Sequence, residues 1–246
     1  MASSSTNDGF VLLWSGGKDA MLAHDVLHSQ SPRRIGALLT TVVEQRDTVT
    51  MHGTPLALIQ RQAEALGIPL HVMEVPANAP NEVYENRLQR VVAPLMSDGY
   101  QTIVAGDLFL QDIRAYREKI CQDIGIQPLF PLWQRDTTWL ARRFVERGYR
   151  AVVTSVDTTQ LDTAFLGRSF DTAFLNDLPH DVDPCGEHGE FHTFVVNGPP
   201  FADPVPIAKE EMYGEDRMRY VQLRETARGA ASGEEERGDR SPPRPT

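Results

Sequence analysis

Short apolar runs alternate with stretches of helical periodicity through the first half of the chain. Four runs have the length and composition of buried strands, at residues 10–14, 35–43, 70–75 and 101–105. Apolar residues recur every three or four positions in the stretches 18–29, 55–66, 81–97 and 112–124, which predicts helices. Because strands that alternate with helices form βαβ units, the sequence predicts an α/β fold with a Rossmann-like parallel sheet.

Local signals set the expected ends of these helices. Thr54 is expected to cap the second helix, with Pro55 at its first position and Gly67 at its end. Pro94 is expected to kink or shorten the third helix, because proline cannot donate the helical hydrogen bond. Gly125 is expected to close the fourth helix.

The pattern becomes less regular near Pro131, where we place a soft domain boundary. Residues 128–133 hold two prolines and are expected to form an extended linker, followed by a helix at 137–148 and a strand at 149–156. The predicted organisation is a flexible N-terminus at 1–9, a sheet domain at 10–131, a smaller C-terminal α/β domain at 132–228 and a disordered tail at 229–246.

Composition and charge exclude several classes of protein. Hydrophobic residues make up 41% of the 246-residue chain, and the net charge of −10 argues against broad binding to nucleic acid or anionic lipid. Two cysteines, Cys121 and Cys185, rule out a disulfide scaffold and a multi-cysteine metal site. No apolar run approaches the roughly 20 residues that cross a bilayer, and residues 1–9 lack the features of a signal peptide, so we expect a cytoplasmic protein without a membrane partner.

The clearest chemical signal is the segment Ser15-Gly16-Gly17-Lys18-Asp19, between the first predicted strand and the first predicted helix. Two glycines allow a tight turn, and the N–H groups at a helix N-terminus can bind phosphate or pyrophosphate oxygens. Ser15 adds a hydroxyl and Lys18 a positive charge, whereas Asp19 suits a magnesium ligand or an N-terminal helix charge. The spacing fits neither the Walker A pattern nor the dinucleotide fingerprint. A turn without a ligand is the structural alternative.

Two motifs resemble those of known families. The glycine segment resembles the PP-loop of the N-type ATP pyrophosphatases, S-G-G-x-D-S, although Ala20 stands where that pattern ends in serine. Residues 185–196, C-G-E-H-G-E-F-H-T-F-V-V, resemble the C-terminal signature of the diphthine–ammonia ligase family, approximately G-E-x-G-E-F-x-T-L-V. Residues 106–133 are similar to that family's middle block.

Similarity to that family implies an adenine nucleotide α-hydrolase-like sheet, a smaller acceptor-binding domain, and ATP and Mg²⁺ as ligands. ATP would adenylate a carboxylate with release of pyrophosphate, and ammonia would displace AMP; in that family the acceptor is diphthine on translation elongation factor 2. The implied ATP-binding residues are Ser15, Gly16, Gly17, Lys18, Asp19, Thr40, Thr41, Gly106 and Asp107, with Asp19 as the magnesium ligand.

The catalytic residues that the resemblance implies are Lys18 and Asp19 at the phosphates and Glu187 and Glu190 at the ammonium or a cationic acceptor. Thr193, His52 and Arg114 are the candidate acceptor-binding residues. Each has a structural alternative: an acidic turn for the glutamates, a surface loop for His52 and a solvated helix face for Arg114. Cys185 is expected to be a buried structural thiol, because the sequence shows no obvious base for it.

Two other functions stay open at this point. A PP-loop enzyme could act on another small-molecule acid or on an RNA base, although the negative charge and scarce cysteines disfavour RNA. A regulatory module could sense ATP or AMP without catalysis, but the glutamate segment would then have no purpose. The sequence determines neither the acceptor nor whether the chain forms a homo-oligomer.

Overall fold

The computed structural model describes residues 9–50, 53–214 and 216–226. The expectations for residues 1–8, for His52 and for the tail at 229–246 lie outside these ranges. Within them, no helix is long and apolar enough to cross a membrane.

The first sheet is built from the apolar runs of the first half of the chain. Its strands are β1 (Phe10–Leu13), β2 (Ile35–Val43), β3 (Thr48–Val49), β4 (Leu70–Val75), β5 (Thr102–Val104) and β6 (Gln127–Leu129). The parallel strands lie in the order β4-β2-β1-β5-β6, and the short β3 pairs antiparallel with the end of β2. The predicted parallel sheet is therefore confirmed.

Four helices cover the two faces of this sheet: α1 (Lys18–Gln30), α2 (Leu56–Leu66), α3 (Asn81–Ser97) and α4 (Gln111–Ile124). Alternate residues of a strand point to opposite faces. Leu12 of β1 accordingly packs in a cluster with residues of α1 and α2, whereas its neighbour Val11 packs with residues of α3 and α4.

The second half of the chain adds α5 (Thr137–Glu146), β7 (Arg150–Asp157), α6 (Thr172–Asp177), β8 (Phe191–Asn197), β9 (Ile207–Tyr213) and β10 (Met218–Glu225). Its four strands form an antiparallel sheet in the order β8-β7-β10-β9. Phe144 of α5 and Phe194 of β8 belong to the same apolar cluster as Leu22 of α1. The two sheets therefore share a core on the α1 and α2 side of the first sheet.

Two local expectations are wrong, and of the two alternatives expected at Pro94 the shortening is wrong and the kink stays a prediction. Thr54 does not cap α2, which starts at Leu56. Val49 N donates to the Thr54 carbonyl, and Pro55 forms a β-bridge with Thr48. Thr54 and Pro55 therefore pair with β3 instead of belonging to the helix. Residues 128 and 129 belong to β6 instead of a linker; a proline fits there because β6 is an edge strand. The helix α3 continues through Pro94 to Ser97 and is not shortened. The domain boundary near Pro131 stays a prediction.

The strand order reverses at β1, which has β2 on one side and β5 on the other. Ligands of such sheets bind where the loops diverge at the carboxyl ends of the two central strands. The two loops are close here, since a Cβ placed on Gly106, after β5, would lie 2.9 Å from the carbonyl oxygen of Asp19. The glycine turn and the segment that carries Asp107 therefore share one crevice.

A buried ion cluster joins α1 to the second half of the chain. Asp25 accepts hydrogen bonds from Arg143, Arg147 and the Tyr149 hydroxyl, at distances between 2.9 and 3.2 Å. Burial alone would raise the pKa of Asp25, but these hydrogen bonds outweigh burial and lower the pKa. Ionised Asp25 therefore stabilises the contact between α1, α5 and β7.

We expect Asp25→Asn to lower the free energy of unfolding by about 2–3 kcal/mol near neutral pH, because two arginines and a tyrosine lose their anionic partner. A carboxyl whose pKa is lower in the folded than in the unfolded state stabilises the fold above its unfolded pKa, about 4, and loses that contribution as the pH falls further. The difference between wild type and variant in urea unfolding should therefore shrink below about pH 4.

The matched control is Asp123→Asn, which removes an exposed ion pair with Lys119. Exposed pairs contribute little, so this variant should change the free energy of unfolding by less than about 0.5 kcal/mol. Equal effects of the two substitutions, or a difference that does not shrink at all as the pH falls below about 4, would contradict the stabilising role of ionised Asp25.

Candidate functional site

The glycine segment forms a tight turn between β1 and α1, with no space for side chains at its centre. Gly16 has a φ of +79°, and a Cβ there would lie 2.6 Å from Ile59 Cδ1 and 2.7 Å from Gln62 Oε1. Gly17 is the N-cap residue of α1, and a Cβ there would lie 3.1 Å from the carbonyl oxygen of Thr193. The turn is therefore packed between α2 and β8.

Backbone hydrogen bonds attach this turn to β8 of the second sheet. Val195 N donates to the carbonyl of Gly16 at 2.9 Å, and Lys18 N donates to Thr193 Oγ1 at 3.1 Å. Thr193 had been predicted as an acceptor-binding residue, and here its buried hydroxyl contacts the glycine turn itself. The second half of the chain thus contributes directly to the geometry of the turn.

Ser15 lies at the start of the turn and keeps its hydroxyl within it. Gly17 N donates to Ser15 Oγ at 3.3 Å, which is a long hydrogen bond. The N–H groups of Gly17 and Lys18 therefore both donate to hydroxyl oxygens, at the end of α1 where an anion would be favoured. A phosphate oxygen that binds these two N–H groups would replace the hydroxyl oxygens of Ser15 and Thr193.

Lys18 points into the protein, towards the second half of the chain. Its side chain is 2% exposed, and Nζ donates to Asp19 Oδ2 at 3.1 Å and to the carbonyl of Cys185, with the Phe191 ring 5.2 Å away. Burial alone would lower the pKa of Lys18, but the charge of Asp19 and that of Asp183 outweigh burial and raise it. Lys18 is therefore a permanent cation at the base of the turn.

Asp19 offers one carboxylate oxygen that is not used by the protein. Oδ2 accepts from Lys18, whereas Oδ1 is buried and has no hydrogen-bond partner among the described residues. Burial raises the pKa of Asp19 more than Lys18 lowers it. An oxygen left unpaired in this way fits a hard cation such as Mg²⁺, which takes one or two protein carboxylates and completes its shell with phosphate oxygens and water. No group of three or more metal-ligating side chains occurs in the described residues.

Glu190 organises the loop before β8 and does not face the crevice. It is 1% exposed, and its two carboxylate oxygens accept from the backbone N–H groups of Asp183 at 2.9 Å and His188 at 2.8 Å. Both oxygens are therefore used by the loop that carries Glu187. The structure places Glu190 in a supporting position, one step from the predicted site.

Glu187 connects that loop to the segment after β5. Its Oε1 accepts from Phe109 N at 2.8 Å. Burial raises the pKa of Glu187, and the nearby charge of Asp19 raises it further, while the hydrogen bond from Phe109 lowers it. Glu187 therefore lies near enough to Asp19 and Lys18 for their charges to act on it; that the three form one site stays a prediction.

Asp107 lies on the same rim but is paired with a residue of α4. Its Oδ2 is 2.7 Å from Arg117 Nε, and this carboxylate raises the pKa of Arg117, although burial alone would lower it.

Beside this pair, a small apolar pocket opens between α3 and α4 at the ends of β1, β5 and β6; Leu13, Tyr84, Leu88 and Phe130 are among its lining residues.

The remaining predicted binding residues either form no hydrogen bond to the turn within the described part of the chain or lie outside the described ranges. The Thr40 hydroxyl is buried in β2 without a hydrogen-bond partner in the described part of the chain, and the Thr41 carbonyl accepts from Thr50 N at 3.1 Å. Arg114 forms an ion pair with Glu118 and lies over the rings of Phe130 and Trp133, 5.0 and 4.6 Å from their centroids. His52 is not described.

Two side chains near Lys18, one buried and one half-buried, carry no charge near neutral pH. Cys185 is buried, its Sγ donates to the carbonyl of Thr137 at 3.4 Å, and burial raises its thiol pKa, which confirms the predicted structural thiol. His192 has its pKa lowered to about 4, first by burial and then by the charge of Lys18. Both are uncharged near neutral pH, so the local charge comes from Lys18 and the carboxylates.

Sequence reasoning missed Gln62, which contacts the turn from α2. The side chain is fully buried and donates to the carbonyl of Gly16 at 3.0 Å. One signal was present in the sequence, since Gln62 lies on the apolar stripe of α2 with Leu58, Ile59 and Ala63. A polar residue at a core-facing position requires buried partners.

Comparison with known proteins assigns both halves of the chain to consecutive family models. Residues 9–128 match the model described as the diphthamide synthase N-terminal domain, and residues 136–228 match the diphthamide synthase C-terminal domain. These two matches together include the glycine turn, the segment after β5 and the 183–190 loop.

The curated relatives are diphthine–ammonia ligases at modest identity. The human protein is 25% identical over 169 residues, which is 63% of this chain and 63% of the human chain. The Schizosaccharomyces pombe protein is 23% identical over 220 residues, or 81% of this chain but 36% of its own length. The chain therefore spans less than two thirds of these relatives.

A solved structure described as a predicted subunit of tRNA methyltransferase from Methanocaldococcus jannaschii aligns with 78% of this chain and 98% of its own chain. The sequence identity is 17% and the TM-score 0.41, and a similarity this low assigns no function to the chain.

We expect Glu190→Gln to lower the free energy of unfolding by about 1–3 kcal/mol, because the new amide group would face a backbone N–H that needs an acceptor. Amide hydrogen exchange at Asp183 and His188 should accelerate, since these two N–H groups donate to the carboxylate. The control Glu211→Gln lies on exposed β9 and should be neutral. Unchanged exchange at both amides would contradict the supporting role of Glu190.

Proposed function

Because the chain belongs to the diphthamide synthase family, we propose that it is an ATP-dependent amide ligase that joins ammonia to a carboxylate. In the proposed reaction, the carboxylate oxygen attacks the α-phosphorus of ATP and pyrophosphate leaves. Ammonia then attacks the acyl carbon, loses a proton and displaces AMP. The products are an amide, AMP and pyrophosphate.

One observation carries this proposal: the glycine turn at the N-terminus of α1 contacts the 183–190 loop and β8, which both belong to the second half of the chain. Val195 and Thr193 contact the turn, and Lys18 reaches the carbonyl of Cys185. A phosphate at the turn would therefore lie beside the 183–190 loop. A ligase needs this arrangement, because the α-phosphorus and the acceptor carboxylate must meet in one place.

Charge is the main chemical obstacle, since an anionic carboxylate must approach a polyanionic nucleotide. Lys18 supplies a fixed positive charge beneath the turn, and the helix N-terminus adds a partial one. Magnesium, when bound, would neutralise phosphate charge, and the unpaired Asp19 Oδ1 is the oxygen that would hold it. In this proposal, the buried charge of Lys18 favours the departing pyrophosphate from beneath the turn, and Asp19 would orient it through the magnesium ion.

The carboxylates around the crevice suit a cation on the acceptor side. Glu187 lies close enough to Asp19 for the charge of Asp19 to raise the pKa of Glu187. A negative potential there would attract ammonium and hold it until it loses a proton to become the nucleophile. Glu187 is the group we assign to that task, while Glu190 keeps its loop in place.

The proposed acceptor is diphthine, which the name of the curated relatives contains. The family resemblance of the sequence implies that this diphthine is carried by elongation factor 2. The alternatives are a PP-loop ATPase with another acceptor and a nucleotide sensor without catalysis. Binding of ATP is common to all three. The products formed in the presence of acceptor and ammonium distinguish them.

Isotope transfer tests the adenylation step directly. Elongation factor 2 bearing diphthine with ¹⁸O in its carboxylate is incubated with the protein, ATP, Mg²⁺ and ammonium. Attack on the α-phosphorus transfers one carboxylate oxygen to AMP, so mass spectrometry should find ¹⁸O in AMP and none in pyrophosphate. Formation of ADP and phosphate would contradict adenylation. Labelled AMP with a different acid but not with diphthine would contradict the proposed acceptor, and ATP binding without any product would favour the sensor.

We expect Asp19→Asn to lower turnover by about two orders of magnitude and to raise the Mg²⁺ concentration needed for half-maximal activity, because an amide holds a divalent cation less well. Steady-state AMP formation across a Mg²⁺ titration measures both effects, with thermal unfolding recorded in parallel. Asp112→Asn, an exposed aspartate in the first turn of α4, is the matched control. Wild-type turnover and Mg²⁺ dependence in Asp19→Asn would remove Asp19 from the proposed site.

A further inference from the structure

Gln62 lies fully buried beneath the glycine turn and is not explained by the proposed chemistry. Burying a primary amide is costly unless its polar atoms find partners, and all of its hydrogen bonds run to the turn or to elements beside it. Oε1 accepts from Trp14 Nε1 at 2.8 Å, while Nε2 donates to the carbonyls of Gly16 at 3.0 Å and Val195 at 2.6 Å. One side chain of α2 therefore connects the end of β1, the turn and β8.

These partners require a carboxamide at position 62. The indole N–H of Trp14 can only donate and the two carbonyls can only accept, so the orientation of the amide is fixed by its partners. A carboxylate in its place would put one of its own oxygens, where the amide has N–H donors, against the carbonyl oxygens of Gly16 and Val195. A thioether of similar size would leave the indole and the Val195 carbonyl without partners.

The peptide unit between Gly16 and Gly17 shows why this matters for a ligand. The carbonyl of Gly16 accepts from both Gln62 Nε2 and Val195 N, so α2 and β8 together fix its direction. In a trans peptide the following N–H points the opposite way from the carbonyl. Holding the Gly16 carbonyl towards α2 and β8 therefore aims the N–H of Gly17 away from both, to the side where it donates to Ser15 Oγ at 3.3 Å.

We infer that Gln62 is a positioning residue for the nucleotide turn: its carboxamide couples the direction of the Gly17 N–H to the docking of β8. The inference rests on the proposed function, since it concerns the turn proposed to bind ATP. It adds that nucleotide binding depends on a residue that never touches the nucleotide. It also makes the second sheet part of the nucleotide site before any acceptor arrives.

The test compares substitutions at two glutamines of α2. Gln62→Met removes the buried amide, whereas Gln60→Met changes an exposed residue of the same helix. The dissociation constant of Mg²⁺·ATP is measured by calorimetry for each full-length protein. We expect about a tenfold or greater weakening for Gln62→Met, the equivalent of one lost buried hydrogen bond, and none for Gln60→Met.

The Trp14 indole gives a readout that is independent of nucleotide. Its ¹⁵N–¹H resonance, assigned with Trp14→Phe, should move in Gln62→Met, while those of Trp133 and Trp139 should not. A moved Trp14 resonance together with ATP binding within twofold of wild type would overturn the inference and leave the proposed function intact. Absence of ATP binding by the wild-type protein would overturn the proposed function, and this inference with it.

Gln62→Glu keeps the test decisive if the methionine variant fails to fold. A protonated carboxyl offers one O–H donor and one carbonyl acceptor, and so restores most of the amide's pattern, whereas the ionised form cannot donate. ATP affinity of Gln62→Glu, relative to wild type at each pH, should therefore improve by about tenfold as the pH falls from about 8 to about 6. A ratio that stays constant with pH would contradict a positioning role for the amide.

Discussion

The hydrogen bonds between the glycine turn and β8 are the contacts on which the rest of the site depends. Val195 N and Thr193 Oγ1 hold two positions of the turn, Gly16 and Lys18, from a strand of the other sheet. Without them, the N-terminus of α1 would still carry a partial positive charge, but the directions of its N–H groups would not be set. The two halves of the chain therefore cannot be divided into a nucleotide part and an acceptor part at this point.

Buried charged residues also lie where the two halves of the chain meet. Lys18 and Asp25, both on α1, are buried and find their partners in the second half of the chain, at Cys185 and at Arg143, Arg147 and Tyr149. A buried ion is costly unless it is paired, so these residues favour one relative placement of α1 and the second sheet. Precise placement is what a reaction between a nucleotide and a carboxylate requires.

The hydrophobic pattern was sufficient to predict four of the six strands of the first sheet, because β1, β2, β4 and β5 are rich in apolar residues, whereas the short β3 and β6 were missed. The strands at 35–43 and 70–75 coincide with β2 and β4. Thr54 and residues 128–129 were predicted wrongly because pairing with β3 and β5 decides their conformation, and local signals carry no information about such pairing.

The chemistry of the glycine turn was visible in the sequence, but the directions of its side chains were not. Lys18 was predicted to face a ligand, and its amino group instead lies against a carbonyl 167 positions later in the chain. Glu190 was assigned to the reaction, and its carboxylate satisfies backbone N–H groups of its own loop. Gln62 was missed because its partners come from three separate elements. The most direct measurement of the central claim is a crystal structure of the wild-type protein with Mg²⁺ and α,β-methylene ATP. The account predicts the phosphates at the turn formed by residues 15–19, beside the 183–190 loop; an analogue bound elsewhere, with the turn empty and unchanged, would contradict it.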